Sequence, residues 1–285
     1  MQVYDSVSEI IGKTPLVRLK GFGENLYGKC EFLNPSHSIK DRAAYVMIKK
    51  ALDEAHISKE TTIIECTSGN MGISLAMICA TLGLKIILTM PESMSIERRK
   101  MMAFFGAKLE LTPASEGMKG AYERALALHK EIKNSFIPSQ FENLANKFAH
   151  RENTAVEILN DLDGKIDYFV AGFGTSGTIS GVGEVLKEKF ADKVKIIAVE
   201  PAASPLLSKG KAGGHKIQGI GANFIPKILN QSVIDEIQTI SNEDAIATAR
   251  ELALKNGLMV GISSGANVFI ASKIAKANPD KIIVT

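Results

Sequence analysis

The chain is poor in cysteine. Cys30, Cys66 and Cys79 are its three, spaced 36 and 13 residues apart, and neither interval matches zinc-ligand or C-x-x-C spacing. They are expected to be reduced thiols packed in the core of a cytoplasmic protein. An excess of one charge is also lacking. A formal net charge of +3 over 285 residues, with no basic stripe interleaved with aromatics, argues against nucleic acid or an anionic membrane as partner. The opening Met1-Gln2-Val3-Tyr4-Asp5 has neither a basic nor an apolar leader region, so no secretory signal is expected. The longest apolar region, 73–90, is broken by Gly83 and Lys85; it reads as a buried helix followed by a buried strand, not a membrane span. His56, His129, His150 and His215 show no ligand spacing; they are expected on the surface, and no metal site is expected. Fixed-period repeats and low-complexity segments are absent as well.

What is there is an ordinary globular composition, 45% apolar and 23% charged, on a chain long enough for one large or two medium domains. Alternating elements dominate. Strands are predicted over 26–32, around Ile63-Ile64, and over 85–89, 109–111, 168–171, 196–199 and 282–284. Helices are predicted after Lys40, out of the turn at 67–72 through 82, and over 95–105, 116–130, 151–162 and 179–189. A capping box at Ser241 and Asp244 opens another, running to Lys255, and a last helix follows residues 261–265. Such alternation means βαβ units and parallel sheets flanked by helices. The pattern pauses over 137–143, which divides the chain into expected lobes 1–142 and 143–285; the first stretch of about 35 residues is free to pack on the other lobe. Residues 201–224 contain five glycines and form a loop too long to be idle, functional or lid-like.

Three stretches carry candidate chemistry. Lys40 sits where the turn-forming Asn34-Pro35-Ser36-His37-Ser38-Ile39 runs into a helix marked by Ala44, Met47, Ile48, Ala51 and Ala55. At a helix start the dipole disfavours its charge, and a lysine with a lowered pKa forms Schiff bases; a solvated surface lysine is the bland alternative. Gly172-Phe173-Gly174-Thr175-Ser176-Gly177-Thr178 follows a strand and opens a helix, an anion site suited to phosphate. It also satisfies G-x-G-x-x-G, and Glu200 ends the next strand 23 residues after Gly177, so a nicotinamide dinucleotide dehydrogenase competes. The hydroxyls of Thr175, Ser176 and Thr178 favour a phosphate monoester; on spacing alone the two readings stay open. In the third stretch, Thr67-Ser68-Gly69-Asn70-Met71-Gly72, the residues Ser68 and Asn70 are candidate helix caps or ligand contacts, and Ser263 and Ser264 pose the same choice at the last helix.

Taken together, residues 34–42, 67–72, 174–178 and 261–265 resemble the pyridoxal-phosphate enzymes of fold type II, the tryptophan synthase β-like fold, and within them the cysteine synthases, or O-acetylserine sulfhydrylases. The similarity begins at Ile11-Gly12-Lys13-Thr14-Pro15-Leu16 and runs to the last strand. It implies that Lys40 carries pyridoxal 5'-phosphate and acts as the catalytic base, that Gly174, Thr175, Ser176, Gly177 and Thr178 hold the phosphate, that Asn70 bonds the ring hydroxyl oxygen, and that Ser263 meets the pyridine nitrogen. It further implies that Thr67, Ser68, Gly69, Asn70 and Met71, with Gln140, grip the substrate α-carboxylate. The implied reaction is β-replacement, converting O-acetylserine and sulfide to cysteine and acetate; a cystathionine β-synthase-like or cysteine desulfhydrase activity is the variant within the family. A cytoplasmic homodimer whose lobes close over substrate, and a complex with serine acetyltransferase, are the implied assemblies. The chain departs from the family pattern at Ser36, His37 and Ser176, where glycines are frequent, at Met71, usually threonine, and at Asn223, usually glycine. Those departures bear on substrate and nucleophile, and His37 is expected to be exposed.

Overall fold

The computed structural model describes residues 3–67 and 69–285. In chain order the elements are β1 (Leu16–Arg18), β2 (Leu26–Lys29), α1 (Lys40–Asp53), β3 (Thr62–Cys66), α2 (Asn70–Leu82), β4 (Lys85–Pro91), α3 (Ile96–Phe104), β5 (Lys108–Thr112), α4 (Gly117–Glu131), β6 (Ser135–Phe136) and α5 (Leu144–Ala149). A π-helical turn, His150–Thr154, leads to α6 (Ala155–Asp161), β7 (Tyr168–Gly172), α7 (Gly177–Phe190), β8 (Lys195–Pro201), α8 (Leu206–Lys209), β9 (Glu236–Ile240), α9 (Asn242–Asn256), α10 (Ile262–Ala277) and β10 (Ile283–Val284). Two compact units result: Met1–Gly12 with Glu31–Asn146, and Lys13–Cys30 with Lys147–Thr285.

The first unit is built on a four-stranded parallel sheet ordered β5-β4-β3-β6. Its strands alternate between two buried faces. Ile63, Ile86, Leu88 and Met90 join α1 and α2 residues such as Met47, Ile48 and Leu75 in one core, while Ile64 and Ile87 meet Ala125 and Leu128 of α4 in another. Burial on both faces is why these strands read as unbroken apolar runs. Within one such run, Glu65 is an acid held in the interior, 5% exposed.

The second unit carries a six-stranded sheet ordered β1-β2-β10-β7-β8-β9, in which only the β1–β2 pair among the described residues is antiparallel. The same alternation recurs. Val170, Ile197 and Val199 pack with α9 and α10 residues such as Leu252 and Ala271, whereas Phe169, Ala171, Ile196 and Ala198 pack with Ile158 of α6 and Val182 of α7.

Two expectations need correcting. The helix predicted over 151–162 begins at Leu144 and passes through the π-helical turn, because the extra backbone residue there breaks the apolar period that marks a helix in sequence. The segment predicted as strand over 26–32 pairs only as far as Lys29; a 3-10 turn, Glu31–Leu33, follows it. No helix of the described residues is long and apolar enough to cross a membrane.

Candidate functional site

In the first unit the candidate groups follow the carboxyl ends of parallel strands or open helices, where α/β sheets place their ligand sites. Lys40 is the first residue of α1, and the turn before it is pinned from several sides. Asn34 accepts from Gly12 N–H at 2.8 Å and receives His37 N–H at 2.8 Å on its carbonyl. Buried Asp41 accepts Ser36 N–H at 2.7 Å and the Ser74 hydroxyl at 2.6 Å, and also the Ser36 hydroxyl. Through Ser74 the turn is tied to α2. Arg42, 2% exposed, forks onto Glu31 with bonds of 2.7 and 2.8 Å, a geometry that fixes orientation as well as charge.

Lys40 itself is half-buried, and burial holds its ammonium below the ordinary lysine range. The expected direction is therefore present, with desolvation as its cause where the helix dipole had been invoked. A desolvated lysine keeps a larger fraction of free amine, the form that attacks a carbonyl.

Beyond β3, Thr67 is buried and its hydroxyl accepts Gly69 N–H at 3.4 Å. Helix α2 then starts with Gly69 as its N-cap and no side chain capping it. Asn70 is the first helical residue and is exposed, so it is not the cap. The amino end of a helix without a side-chain cap presents N–H groups to an anion such as a carboxylate. The Met71 side chain packs in the core with 2% exposure, so only its backbone is left for contact with a ligand. Ser68 lies outside the described residues. Gln140 is buried, at 7% exposure, in a turn whose Ser139 has φ +55°. Glu65, at the end of β3, accepts Cys66 N–H at 3.1 Å, and its Oε2 is buried with no partner among the described residues.

In the second unit the 174–178 loop leaves the end of β7 and starts α7 with Ser176 as N-cap, again without a side-chain cap. Gly174 is obligatory: a Cβ there would lie 2.3 Å from the Gly219 carbonyl oxygen. Ser176 is left-handed, φ +73°, and its buried hydroxyl has no partner among the described residues. Such an orphaned donor in a loop of N–H groups fits a phosphate, which takes several donors at once. Ser263 sits in the first turn of α10, whose cap is Gly261, so capping is not its role. A Cβ built on Gly219 would stand 3.5 Å from the Ser263 hydroxyl, so the 174–178 loop, Gly219 and Ser263 form one neighbourhood. Asn267 of α10 accepts Gly172 N–H at 2.8 Å and fixes the helix to that strand end.

Glu200 does not serve a ribose. It is fully buried and accepts Leu207 N–H at 2.9 Å and Ser208 N–H at 3.1 Å, together with the Ser208 hydroxyl. Its carboxylate is spent on the amino end of α8. The dinucleotide reading thereby loses its second residue.

Sequence reasoning also missed His150. Expected on the surface, it is 3% exposed within the π-helical turn, 3.0 Å from the Thr154 hydroxyl and 3.4 Å from that of Thr178. His215 is half-buried, its Nε2 2.9 Å from the Gly221 carbonyl oxygen, whereas His37, His56 and His129 are exposed. The π-helical turn left no readable period, so nothing in the sequence turned His150 inward. Glu65 did leave a signal, an acid inside an apolar strand.

The first unit thus offers a desolvated lysine suited to an aldehyde, and the second a glycine loop with an orphaned hydroxyl suited to a phosphate. Residues 7–285 match the family described as pyridoxal-phosphate dependent enzyme, and the chain belongs to that family. It depends on pyridoxal phosphate, and the residues present suit that group. Over its whole length the chain is 69% identical to cysteine synthase B of Campylobacter jejuni, covering 95% of that protein. Among solved structures it resembles cysteine synthase from Entamoeba histolytica, with TM-score 0.96, 41% identity and coverage of 99% of this chain and 86% of the other. A hydrogen sulfide-producing enzyme from Fusobacterium nucleatum is similar too, with TM-score 0.94, 45% identity and coverage of 99% and 96%.

Proposed function

We propose that the protein is a cysteine synthase: it replaces the acetoxy group of O-acetylserine by sulfide, giving cysteine and acetate. The observation that carries this reading is Lys40, whose ammonium is disfavoured by burial at the end of a rigidly pinned turn, in a chain 69% identical to a cysteine synthase. When bound, the cofactor supplies an electron sink conjugated to the substrate Cα. Lys40 would hold it, and the Lys40 amine would remove the Cα proton as general base. Thr67, the α2 amino end and Gln140 hold the α-carboxylate, and Asn70 bonds the ring hydroxyl oxygen. Residues 174–178 hold the phosphate. Ser263 offers the pyridine nitrogen a hydroxyl, which unlike a carboxylate does not keep that nitrogen protonated. The weaker sink suits loss and replacement of a Cβ substituent better than transamination.

The relative that releases hydrogen sulfide supports a second reading, cysteine desulfhydration by the same residues. A cystathionine-forming variant is distinguished in the same way, by product analysis with sulfide, homocysteine or water as nucleophile. The free thiols suit a cytoplasmic enzyme, and the reading extends to a homodimer able to engage serine acetyltransferase. The test is the visible absorption of the purified protein before and after O-acetylserine is added without sulfide. A cofactor band that shifts supports the proposal; a band that O-acetylserine leaves unchanged overturns the substrate assignment.

A further inference from the structure

His215 is a side chain that the chemistry above does not use, half-buried in the long loop after β8. It makes two bonds within that loop. Its Nδ1 accepts Ile217 N–H at 3.2 Å, and its Nε2 stands 2.9 Å from the Gly221 carbonyl oxygen. An amide N–H only donates, so Nδ1 carries a lone pair; a carbonyl only accepts, so Nε2 carries the hydrogen. Of the three proton states of an imidazole, the neutral Nε2–H tautomer alone makes both bonds. The residues between those bonds form an arch, 217–221. One foot is fixed by the fully buried Ile217, in the core that α9 covers, and by Lys216 N–H on the Asn242 side-chain oxygen at 2.8 Å. At the other foot Gly221 donates its N–H to the Phe173 carbonyl at 3.1 Å.

The crown of the arch lies against the 174–178 loop and its neighbours. Gly219 holds φ +100°, and its carbonyl oxygen fills the space that a Cβ on Gly174 would need. Ile220 lies over Gly172, where a Cβ would stand 2.8 Å from its Cγ2. Gly221, φ +69°, lets the imidazole approach, since a Cβ there would come within 2.7 Å of Nε2. Two left-handed glycines give the arch little stiffness of its own, because glycine has the most backbone freedom to lose. The imidazole supplies the missing restraint. We propose that His215 is a positioning residue: as the neutral Nε2–H imidazole it braces the 217–221 arch, and the arch holds the Gly219 peptide against Gly174 and beside Ser263. That the 174–178 loop and Ser263 meet the cofactor rests on the proposed function; the brace does not. A slack arch withdraws the Gly219 carbonyl from Gly174, and the glycine loop, which has no side-chain cap at the start of α7, loses the wall that sets its path around a phosphate.

Three measurements on the holoenzyme test this. Long-range proton–nitrogen spectra of histidine-labelled wild type, in mildly alkaline buffer, should show the His215 ring protonated at Nε2 and bare at Nδ1; a ring protonated at Nδ1 overturns the brace, whether or not any variant folds. Hydrogen exchange at the Gly221 amide reads the arch in variants. His215→Phe keeps a ring and neither bond, and protection there should fall roughly tenfold or more, each bond being worth about three- to tenfold, while the amides of β7 and β8 keep theirs. An amide on Gln reaches the Nε2 position, so H215Q should restore most of that protection; Asn reaches only the Nδ1 position, so H215N should restore less. Unchanged Gly221 protection in H215F overturns the brace. The phosphorus-31 resonance of the bound cofactor reads the positioning, which a merely structural role would leave in place: it should move in H215F and return towards wild type in H215Q. A resonance that stays fixed while protection is lost overturns the positioning role. Wild-type holoenzyme that does not turn over O-acetylserine refutes the proposed function instead, and leaves all three readouts of His215 intact.

Discussion

Replacing Ser176 by glycine should move stability and cofactor binding in opposite directions. Ser176 holds φ +73° and ψ 0° at the start of α7, a conformation that costs a residue bearing Cβ about 1–2 kcal/mol and costs glycine little. Its hydroxyl is buried without a partner among the described residues, worth a further 1–3 kcal/mol or so. Glycine loses roughly 0.4–1 kcal/mol more on folding. The cofactor-free protein should therefore gain about 1–4 kcal/mol, raising its melting temperature by several degrees. In the cofactor-bound protein the same hydroxyl would donate to a phosphate, a charge-assisted bond of about 1.5–3 kcal/mol, so S176G should bind pyridoxal phosphate at least about tenfold more weakly. Differential scanning fluorimetry of the stripped protein and a fluorescence titration with the cofactor measure both quantities. Unchanged cofactor affinity would refute the assignment of Ser176 as a phosphate donor, and a lowered melting temperature of the stripped protein would refute the strain argument.

Lys40→Ala should reduce β-replacement by about a thousandfold or more, the scale of a lost general base and cofactor anchor; initial-rate assays with sulfide check it, and near-wild-type turnover would sink the role. Glu65 should make stability fall as pH rises: its folded-state value, about 7 against 4.5, means the native state binds more protons in that window. The contribution, on the order of 3 kcal/mol, is present below the lower value and gone above the upper; E65Q should lack the slope in thermal melts at pH 5 to 8. Gly181→Ala should destabilise the second unit by about 1–3 kcal/mol, since a Cβ there would stand 2.5 Å from the Lys147 carbonyl oxygen; a melting temperature equal to wild type would show that α7 and the π-helical turn can separate. Asp41→Ala should release the Lys40 turn from Ser36 and Ser74 and cost about 1–3 kcal/mol for the polar groups left unpaired, read as faster proteolysis near residue 40.

What sequence alone made legible was whatever local chemistry dictates. Ser241 caps α9 by accepting Asp244 N–H at 3.0 Å, as its capping box required, and the apolar runs at β4 and β8 became central strands because both their faces are covered. What stayed hidden depends on partners distant in the chain. Gly174 was readable as a phosphate-loop glycine, but that it must clear the Gly219 carbonyl is a fact of packing. Glu200 matched the spacing of a ribose-binding acid, and only the fold shows its carboxylate occupied by Leu207 and Ser208. β9 carries one buried residue, Ile240, in a strand otherwise half-buried or exposed, so no clear period announced it.

The departures from the family pattern can now be sorted by what the backbone asks of each position. His37 and Ser176 stand where glycines are frequent, and both hold positive φ, +65° and +73°; the chain keeps the glycine conformation there and bears the strain. Asn223 needs no such tolerance, because the left-handed turns of its loop fall on Gly219 and Gly221. Met71 directs its side chain into the core, so the hydroxyl it lacks bears on packing before it bears on any ligand. Ser36 and Ser176 each add a hydroxyl, that of Ser36 bonded to buried Asp41 in the Lys40 turn and that of Ser176 without a partner among the described residues in the 174–178 loop. The Ser176 hydroxyl is thus the departure that the fold leaves open to a ligand, and the S176G titration tests whether that ligand is the cofactor.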